Sequence, residues 1–235
     1  MLLVCWNGTL WFTPRMTLTK LANTKIKICG ITNASDTDFA VLNGVDALGF
    51  NLFPKSRRHI ELDKAQSLAS RLPDSVLSFA LLVNPEESFV REVVDKGAFD
   101  LLQFHGDESN EFCASFNVPF VKALRVGRVS NLAEEIAKYK DSRWILLDAF
   151  VEGQYGGTGQ TIDWQALSLN LQKVSKKVLL AGGLNPSNVQ QAIKSVQPFA
   201  VDVSGGVEAS AGIKDHNKIT EFIQQVRLAD SEVQS

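Results

Sequence analysis

The sequence predicts a single-domain (β/α)8 barrel, and three observations lead to this fold class. Eight short apolar runs alternate with segments of helical periodicity from residue 25 onward. The runs are too apolar to face water on one side, as in parallel strands covered by helices. No second domain, repeat motif or low-complexity segment interrupts the series. An open doubly wound sheet would normally carry a glycine-rich dinucleotide turn after its first strand, and CGITNAS is not such a turn.

The predicted strands follow one another at regular intervals. In chain order they are KIKIC (25–29), ALGFNL (47–52), VLSFALLV (76–83), LLQFH (101–105), FVKALRV (120–126), WILLD (144–148), KVLLAGG (177–183) and FAVDVSG (199–205). Predicted helices lie between them, at 36–43, 63–72, 86–96, 131–139 and 186–195. Gly44 and Gly97 stand where helices should end, and Asn185-Pro186 is a typical helix start.

The barrel is expected to span residues 25–230, with 231–235 as a C-terminal tail. Residues 1–24 contain no acidic residue and are expected to form an extension outside the barrel. Their order of charged and apolar residues does not fit a signal peptide, although an amphipathic transit peptide is an alternative. We therefore expect a cytoplasmic protein, or an organellar one only if the extension is a transit peptide.

Composition excludes several classes of partner. The formal net charge is −2, so neither nucleic acid nor an acidic membrane surface is expected as a partner. No apolar run approaches the roughly 20 residues needed to cross a bilayer. The three cysteines have no metal-like spacing, which argues for a reducing compartment and against a zinc site.

The ends of the predicted strands carry residues suited to catalysis. Cys29 ends the first run, His105 the fourth and Asp148 the sixth, while Arg58 lies in the loop after the second. The active site of such a barrel collects at these ends, so the four side chains are expected on one rim. Each also has an ordinary interpretation: a buried small hydrophobe for Cys29, a hydrogen-bonded histidine for His105, a helix cap for Asp148 and a solvated basic loop for Arg58. The segment AFVEGQYGGTG after Asp148 argues against the cap.

Glycine-rich loops follow the last three predicted strands. They are YGGTGQTIDW (155–164), LLAGGLNPSNV (179–189) and VDVSGGVE (201–208). Backbone amides approach a phosphate closely only where side chains are absent. The loops after strands seven and eight are the usual phosphate site of this fold, which predicts a phosphate-bearing ligand.

These segments together resemble the phosphoribosylanthranilate isomerase family of tryptophan biosynthesis. The resemblance rests on KICGIT, GFNLFPKSRRHI, LLQFHGDE, LLDAF…YGGTGQTIDW, AGGLNPSNV and VDVSGGVE, in order from about Lys25 to about Arg227. It implies an Amadori rearrangement of N-(5-phosphoribosyl)anthranilate to 1-(2-carboxyphenylamino)-1-deoxyribulose 5-phosphate. It also implies that neither a metal nor a cofactor takes part, and that the protein is a monomer or a homodimer.

The resemblance further implies roles for matching positions. The family's general base matches Cys29, its general acid Asp148, and its arginine for the anthranilate carboxylate Arg58 rather than Arg57. Its phosphate-binding loops match Gly156, Gly157, Thr158, Gly182, Gly183, Ser204 and Gly205; Gln103, His105 and Asp202 are further expected substrate-binding residues. Family members often read Ser-Ser-Gly where this chain reads Ser204-Gly205-Gly206, which puts one possible phosphate contact in doubt.

Three other functions compete with this interpretation. The related histidine-pathway isomerase would be expected to have an aspartate in place of Cys29. Indole-3-glycerol phosphate synthase needs a lysine acid at a strand end, whereas Lys122 lies inside the fifth predicted strand, and Arg58 and Cys29 would have no explanation. A non-catalytic phosphosugar-binding barrel would tolerate the loss of Cys29 and Asp148, both of which are present.

Overall fold

Eight parallel strands form a closed barrel in the computed structural model, which describes residues 23–128, 131–148, 164–172 and 174–233. The strands are β1 (Lys25–Cys29), β2 (Ala47–Asn51), β3 (Leu77–Leu82), β4 (Leu101–Phe104), β5 (Phe120–Arg125), β6 (Trp144–Asp148), β7 (Val178–Ala181) and β8 (Ala200–Val203). Each strand pairs with the next along the chain, and β1 closes the barrel against β8. The predicted (β/α)8 barrel is confirmed, and each strand lies within its predicted run.

Helices follow the strands and cover the outside of the barrel. They are α1 (Ala34–Leu42), α2 (Leu62–Ala69), α3 (Glu87–Asp95), α4 (Asn110–Ala114), α5 (Leu132–Lys138), α6 (Trp164–Leu171), α7 (Val189–Val196) and α8 (His216–Val233). Asn33 caps α1 by accepting a hydrogen bond from the Asp36 amide. Gly44 and Gly97 have φ of +79° and +62° and follow α1 and α3, as the sequence predicts.

The start of α7 differs from the prediction. The helix begins at Val189, three residues after Pro186. The Asn185 side chain instead accepts hydrogen bonds from the Ser187 amide and hydroxyl, at 2.9 and 2.5 Å. Asn185 therefore caps a separate turn that precedes the helix, because its side chain satisfies the backbone locally.

Alternation along the strands divides the core into two layers. Apolar side chains that point into the barrel form one cluster, made of Ala47, Phe79, Leu101, Val121, Ala123, Leu146, Leu179, Ala181 and Ala200. A larger cluster lies between the strands and the helices. The inward layer also contains a charged residue, Lys27 of β1, which is 1% exposed. The interior is thus a packed core whose upper layer supplies the functional side chains.

A short antiparallel hairpin interrupts the connection between β8 and α8. It consists of β9 (Glu208–Ser210) and β10 (Ile213–Lys214). The sequence analysis did not predict it, because strands of three and two residues are too short for an apolar alternation to appear. The hairpin places Glu208 and Lys214 close to the end of β1.

The first described residues attach β1 to the last helix. The Thr24 amide and hydroxyl both donate hydrogen bonds to the Asp230 carboxylate, at 3.1 and 2.6 Å. Residues 1–22 lie outside the described part of the chain. None of the helices in the described ranges has the length and apolar character needed to cross a membrane.

Candidate active site

The carboxyl ends of the strands surround a cleft of about 710 Å³. All of the predicted site residues that fall in the described ranges line this cleft: Cys29, Arg58, Gln103, His105, Asp148, Gly182, Gly183, Asp202, Ser204 and Gly205. The remaining predicted residues, Gly156, Gly157 and Thr158, lie outside the described residues. Asn51 and Arg125 line the cleft as well. Sequence reasoning missed these two, although their position at strand ends was a usable signal.

Cys29 is the last residue of β1 and lines the cleft, with 6% of its surface exposed. A Cβ atom built on Gly49 would lie 2.8 Å from its sulfur and 3.0 Å from Nζ of Lys27. The absence of a side chain at Gly49 therefore leaves the space that the thiol and the ammonium occupy. Burial raises the pKa of the Cys29 thiol, while interaction with Lys27 acts in the opposite direction. Burial thus works against the thiolate form of Cys29 in the free protein, and Lys27 works in its favour.

Lys27 forms a buried ion pair with Asp202 across the junction of β1 and β8. Their Cα atoms are direct partners in the strand register, and Nζ lies 2.9 Å from Oδ1. The two side chains are 1% and 8% exposed. Burial works to lower the pKa of Lys27, but Asp202 and Cys29 outweigh it and the pKa is raised. Sequence reasoning missed Lys27, although it stands two residues before Cys29 and so faces the same side of the strand.

Asp148 lies at the end of β6, which β7 and β8 separate from β1. Its Oδ2 atom lies 3.3 Å from Nε2 of His105, the residue that follows β4. Nδ1 of His105 lies 3.5 Å from Nε2 of Gln103. If the Gln103 amide donates to Nδ1, the imidazole carries its proton on Nε2 and donates to Asp148. Oε1 of Gln103 is fully buried and has no hydrogen-bond partner among the described residues.

Arg58 reaches the cleft from the loop after β2 and is held by Glu208. Nε and Nη2 donate to the two carboxylate oxygens of Glu208, each at 2.8 Å. A Cβ built on Gly30 would lie 2.8 Å from Cδ of Arg58, and φ of Gly30 is +77°. Glycine at position 30 thus lets the chain turn after β1 and leaves room for the arginine. The Nη1 group does not take part in the Glu208 pair.

Lys214 also forms an ion pair with the Glu208 carboxylate. Its Nζ lies 3.0 Å from Oε1 of Glu208 and donates to the carbonyl oxygen of Cys29 at 2.7 Å. Burial opposes ionisation of Glu208, yet its hydrogen bond to Arg58 and the charge of Lys214 lower its pKa. Burial lowers the pKa of Lys214, despite the opposing effect of Glu208. Two cations around one carboxylate leave a net positive charge, which favours an anionic ligand.

The glycine loops after β7 and β8 form the side of the cleft nearest to these cations. Gly182 and Gly183 have φ of +90° and +70°, a region that residues with a side chain rarely adopt. A Cβ on Gly206 would clash with the carbonyl oxygen of Leu184, so the loop after β8 needs glycine there. The Ser204 hydroxyl is buried in this loop without a hydrogen-bond partner among the described residues. Such a group is a ready donor for a phosphate oxygen.

Lys122 does not take part in this arrangement. It lies on β5 between Val121 and Ala123, which point into the barrel, so its own side chain points toward the helices. Its Nζ lies 2.9 Å from Oε2 of Glu108, and the Lys122 side chain is 1% exposed. Lys122 is absent from the residues that line the cleft. The interpretation of Lys122 as a strand-end acid of a synthase is therefore not supported.

Comparison with known proteins gives one consistent result. A family model described as N-(5'phosphoribosyl)anthranilate (PRA) isomerase matches residues 26–225. The N-(5'-phosphoribosyl)anthranilate isomerase of Legionella pneumophila strain Paris is 44% identical over 202 residues, covering 86% of this chain and 96% of the relative.

Solved structures agree with the sequence relatives. The crystal structure of phosphoribosyl anthranilate isomerase from Thermotoga maritima is 39% identical, with a TM-score of 0.78 over 87% of this chain and 98% of that one. A second crystal structure shows such an isomerase in complex with reduced 1-(o-carboxyphenylamino)-1-deoxyribulose 5-phosphate. It is 37% identical, with a TM-score of 0.75 and the same coverage of both chains.

Proposed function

This chain belongs to the N-(5'-phosphoribosyl)anthranilate isomerase family, and we propose from that premise which of its residues carry out the reaction. The protein is an isomerase of tryptophan biosynthesis that converts N-(5-phosphoribosyl)anthranilate into 1-(2-carboxyphenylamino)-1-deoxyribulose 5-phosphate. The reaction is an Amadori rearrangement, in which an aminoaldose becomes an aminoketose. It needs an acid to open the furanose ring and a base to move a proton from carbon.

Asp148 is the general acid and Cys29 the general base of this proposal. Asp148 protonates the ring oxygen, the bond from that oxygen to C1′ breaks, and a protonated Schiff base forms between C1′ and the anthranilate nitrogen. Cys29, as the thiolate, then removes the C2′ proton, whose acidity the Schiff base raises. The bonding electrons move to give a neutral enolamine, which tautomerises to the ketone.

The placement of Cys29 and Asp148 across one cleft is the observation that supports this assignment. They end β1 and β6, which are separated around the closed barrel by β7 and β8. A ligand in the cleft would therefore lie between them, with one group near each of its faces. This placement fits a reaction in which protonation and deprotonation occur at different atoms of the same sugar.

The remaining residues hold the two anionic ends of the substrate. Arg58 is proposed to bind the anthranilate carboxylate with the edge of its guanidinium that Glu208 leaves open. The phosphate is proposed to bind at Gly182, Gly183, Ser204 and Gly205, together with Gly156, Gly157 and Thr158 as the family resemblance implies. Gln103, His105 and Asp202 are proposed to contact the sugar between these ends.

Replacement of each proposed catalytic group tests the mechanism. Cys29→Ala and Asp148→Asn should each lower kcat by roughly 10²–10⁴-fold with a modest change in KM. Cys113→Ala is a matched control, because Cys113 is fully buried on α4 and does not line the cleft. Near-normal kcat in Cys29→Ala or in Asp148→Asn would overturn the assignment of that residue.

Genetic rescue tests the reaction independently of the individual residues. The chain should restore growth of a tryptophan auxotroph that lacks this isomerase, and Cys29→Ala should not. Failure to rescue a histidine auxotroph would separate the function from that of the histidine-pathway isomerase. Cytoplasmic localisation and a monomeric or homodimeric state stay predictions from the sequence.

A further inference from the structure

We propose that Lys27 is a positioning residue of the isomerase reaction, with a buried ammonium group, fixed by Asp202, that stabilises the thiolate form of Cys29. This inference rests on the proposed role of Cys29 as the base. Lys27 is not among the residues that line the cleft, so its charge in the barrel interior is not explained by direct contact with the substrate.

The geometry places the ammonium close to the sulfur, with both atoms next to Gly49. Lys27 and Cys29 are two residues apart on β1, so both side chains point into the barrel. A Cβ atom built on Gly49 would lie 2.8 Å from the sulfur of Cys29 and 3.0 Å from Nζ of Lys27. The two atoms therefore occupy the same small space, and opposite charges on them would attract strongly because little water separates them.

The charge on Lys27 is kept by its other neighbours. A buried lysine without a partner tends to lose its proton. Here Nζ lies 2.9 Å from Asp202 and 5.2 Å from the centre of the Phe79 ring, whose face also attracts a cation. These contacts hold the ammonium in place before the thiolate forms, so no reorganisation is needed at that moment.

Four charged groups from different elements face the Cys29 thiol. Lys27 lies on β1, Asp202 on β8, Lys214 on β10 and Arg58 in the loop after β2. Asp202 disfavours the thiolate, while Lys27 and Lys214 favour it. Lys214 and Arg58 already share Glu208. Lys27 has the largest favourable effect on the thiolate, and it offsets part of the cost of burial, which still leaves the pKa of the thiol raised.

Lys27 remains protonated throughout the reaction. The Cys29 thiol loses its proton to solvent before the step, and the thiolate then takes the C2′ proton of the Schiff base. The negative charge on sulfur is neutralised and the positive charge on the Schiff base disappears in the same transfer. Lys27 neither gains nor loses a proton, so its effect is electrostatic.

The pH dependence of Cys29 alkylation in the full-length protein tests this proposal directly. Iodoacetamide reacts with the thiolate, and mass spectrometry resolves Cys29 from the other two cysteines. The variant Lys27→Met/Asp202→Asn replaces the ion pair with neutral groups of similar size, which avoids the unpaired buried aspartate of Lys27→Met alone. Lys27 favours the thiolate more than Asp202 disfavours it, so we expect the rise in alkylation rate of this variant to move to more alkaline pH, with a fall in rate near neutral pH.

A second buried lysine–carboxylate pair provides a matched control. Lys122 and Glu108 are 1% and 3% exposed, with Nζ 2.9 Å from Oε2, but they lie outside the cleft. Lys122→Met/Glu108→Gln should change stability while leaving the alkylation profile of Cys29 as in the wild type. An unchanged profile in Lys27→Met/Asp202→Asn, or an equal shift in the control, would overturn the proposal.

The two proposals fail in distinguishable ways. Normal kcat in Cys29→Ala would remove the proposed base, whatever the alkylation profile shows. Loss of kcat in Cys29→Ala together with an unchanged profile in Lys27→Met/Asp202→Asn would leave the base assignment standing and reject the role of Lys27.

Discussion

Arg58 shows how a single side chain depends on its surroundings. Its guanidinium presents several donors in a planar fork, and Glu208 occupies one edge of that fork. The side chain is one third exposed, so the free edge faces the cleft rather than the core. A planar group held along one edge offers the other edge in a fixed orientation, as recognition of a carboxylate requires.

Conservative replacement of this arginine should separate geometry from charge. Arg58→Lys keeps the positive charge but loses both the fork and the bidentate pair with Glu208, so we expect KM to rise roughly tenfold or more. Arg57→Lys is the control, since Arg57 is exposed next to it and does not line the cleft. Steady-state kinetics measure both variants. An unchanged KM in both variants would mean that the loop acts only through its charge, and an equal rise in both would contradict the specific role of Arg58.

At the scale of elements, the β9–β10 hairpin determines the orientation of groups on two other elements. Glu208 on β9 holds Arg58, and Lys214 on β10 binds both Glu208 and the carbonyl oxygen of Cys29. The hairpin thereby connects the loop after β2 with the end of β1. Its few backbone pairs contribute little cohesion by themselves, and the ion pairs fix its position.

Neutralisation of Glu208 tests whether the hairpin acts by position or by charge. Glu208→Gln makes the site more positive, so an account based on charge alone expects tighter binding of the anionic substrate. Loss of the bidentate pair instead releases Arg58, and we expect KM to rise roughly tenfold. Glu221→Gln on the exposed face of α8 is the control for the same chemical change. A lower KM in Glu208→Gln would contradict the positional role.

At the scale of the whole molecule, closure of the barrel leaves no strand edge for the N-terminal extension to fill. KIKIC already supplies the strand that pairs with both β2 and β8. The family model begins its match at residue 26. We therefore still expect residues before Thr24 to be dispensable for catalysis.

Truncation at two adjacent positions tests this expectation. A chain that starts at Thr24 keeps the hydrogen bonds of Thr24 with Asp230 and should retain kcat and KM, with at most a small fall in Tm. A chain that starts at Lys25 loses those bonds and leaves a buried carboxylate with fewer partners, so its Tm should fall further. Thermal melts followed by circular dichroism measure the difference. Loss of activity in the folded Thr24 chain would show that the extension reaches the active site.

The stability of the whole domain should also depend on alkaline pH. Burial raises the pKa of the Cys113 thiol to about 12, above its ordinary value of 9.0. The folded protein therefore keeps this proton more tightly than the unfolded chain does, and the associated stability is fully present below pH 9.0. It is lost as pH rises from there toward about 12.

Urea unfolding as a function of pH measures this effect. The free energy of unfolding should fall over that alkaline range, and it should fall less steeply in Cys113→Ala, which has no titrating group at the position. A slope identical to that of the wild type would show that Cys113 does not contribute to the alkaline loss of stability.

The sequence by itself determined the barrel, because each of its eight strands follows from local periodicity and the residue at each strand end can be read from the bounds of the run. The apolar runs gave all eight strands, and the parallel order then placed Cys29, His105 and Asp148 on one rim. The glycine positions likewise follow from backbone conformation, as Gly44 and Gly97 show. Strands and helix-ending glycines depend on a few neighbouring residues, so they can be predicted from the sequence alone.

Only the tertiary structure decided how the charges are paired. Glu208 is 150 residues from Arg58 in the chain, and Asp202 is 175 residues from Lys27. No local pattern connects such partners, because closure of the barrel brings them together from opposite ends of the chain. The protonation state of Cys29 depends on that same closure, since burial raises its pKa while Lys27 and Lys214 act against the rise. The sequence identifies Cys29 as the candidate base, whereas the groups around it in the folded protein determine how easily its thiol ionises.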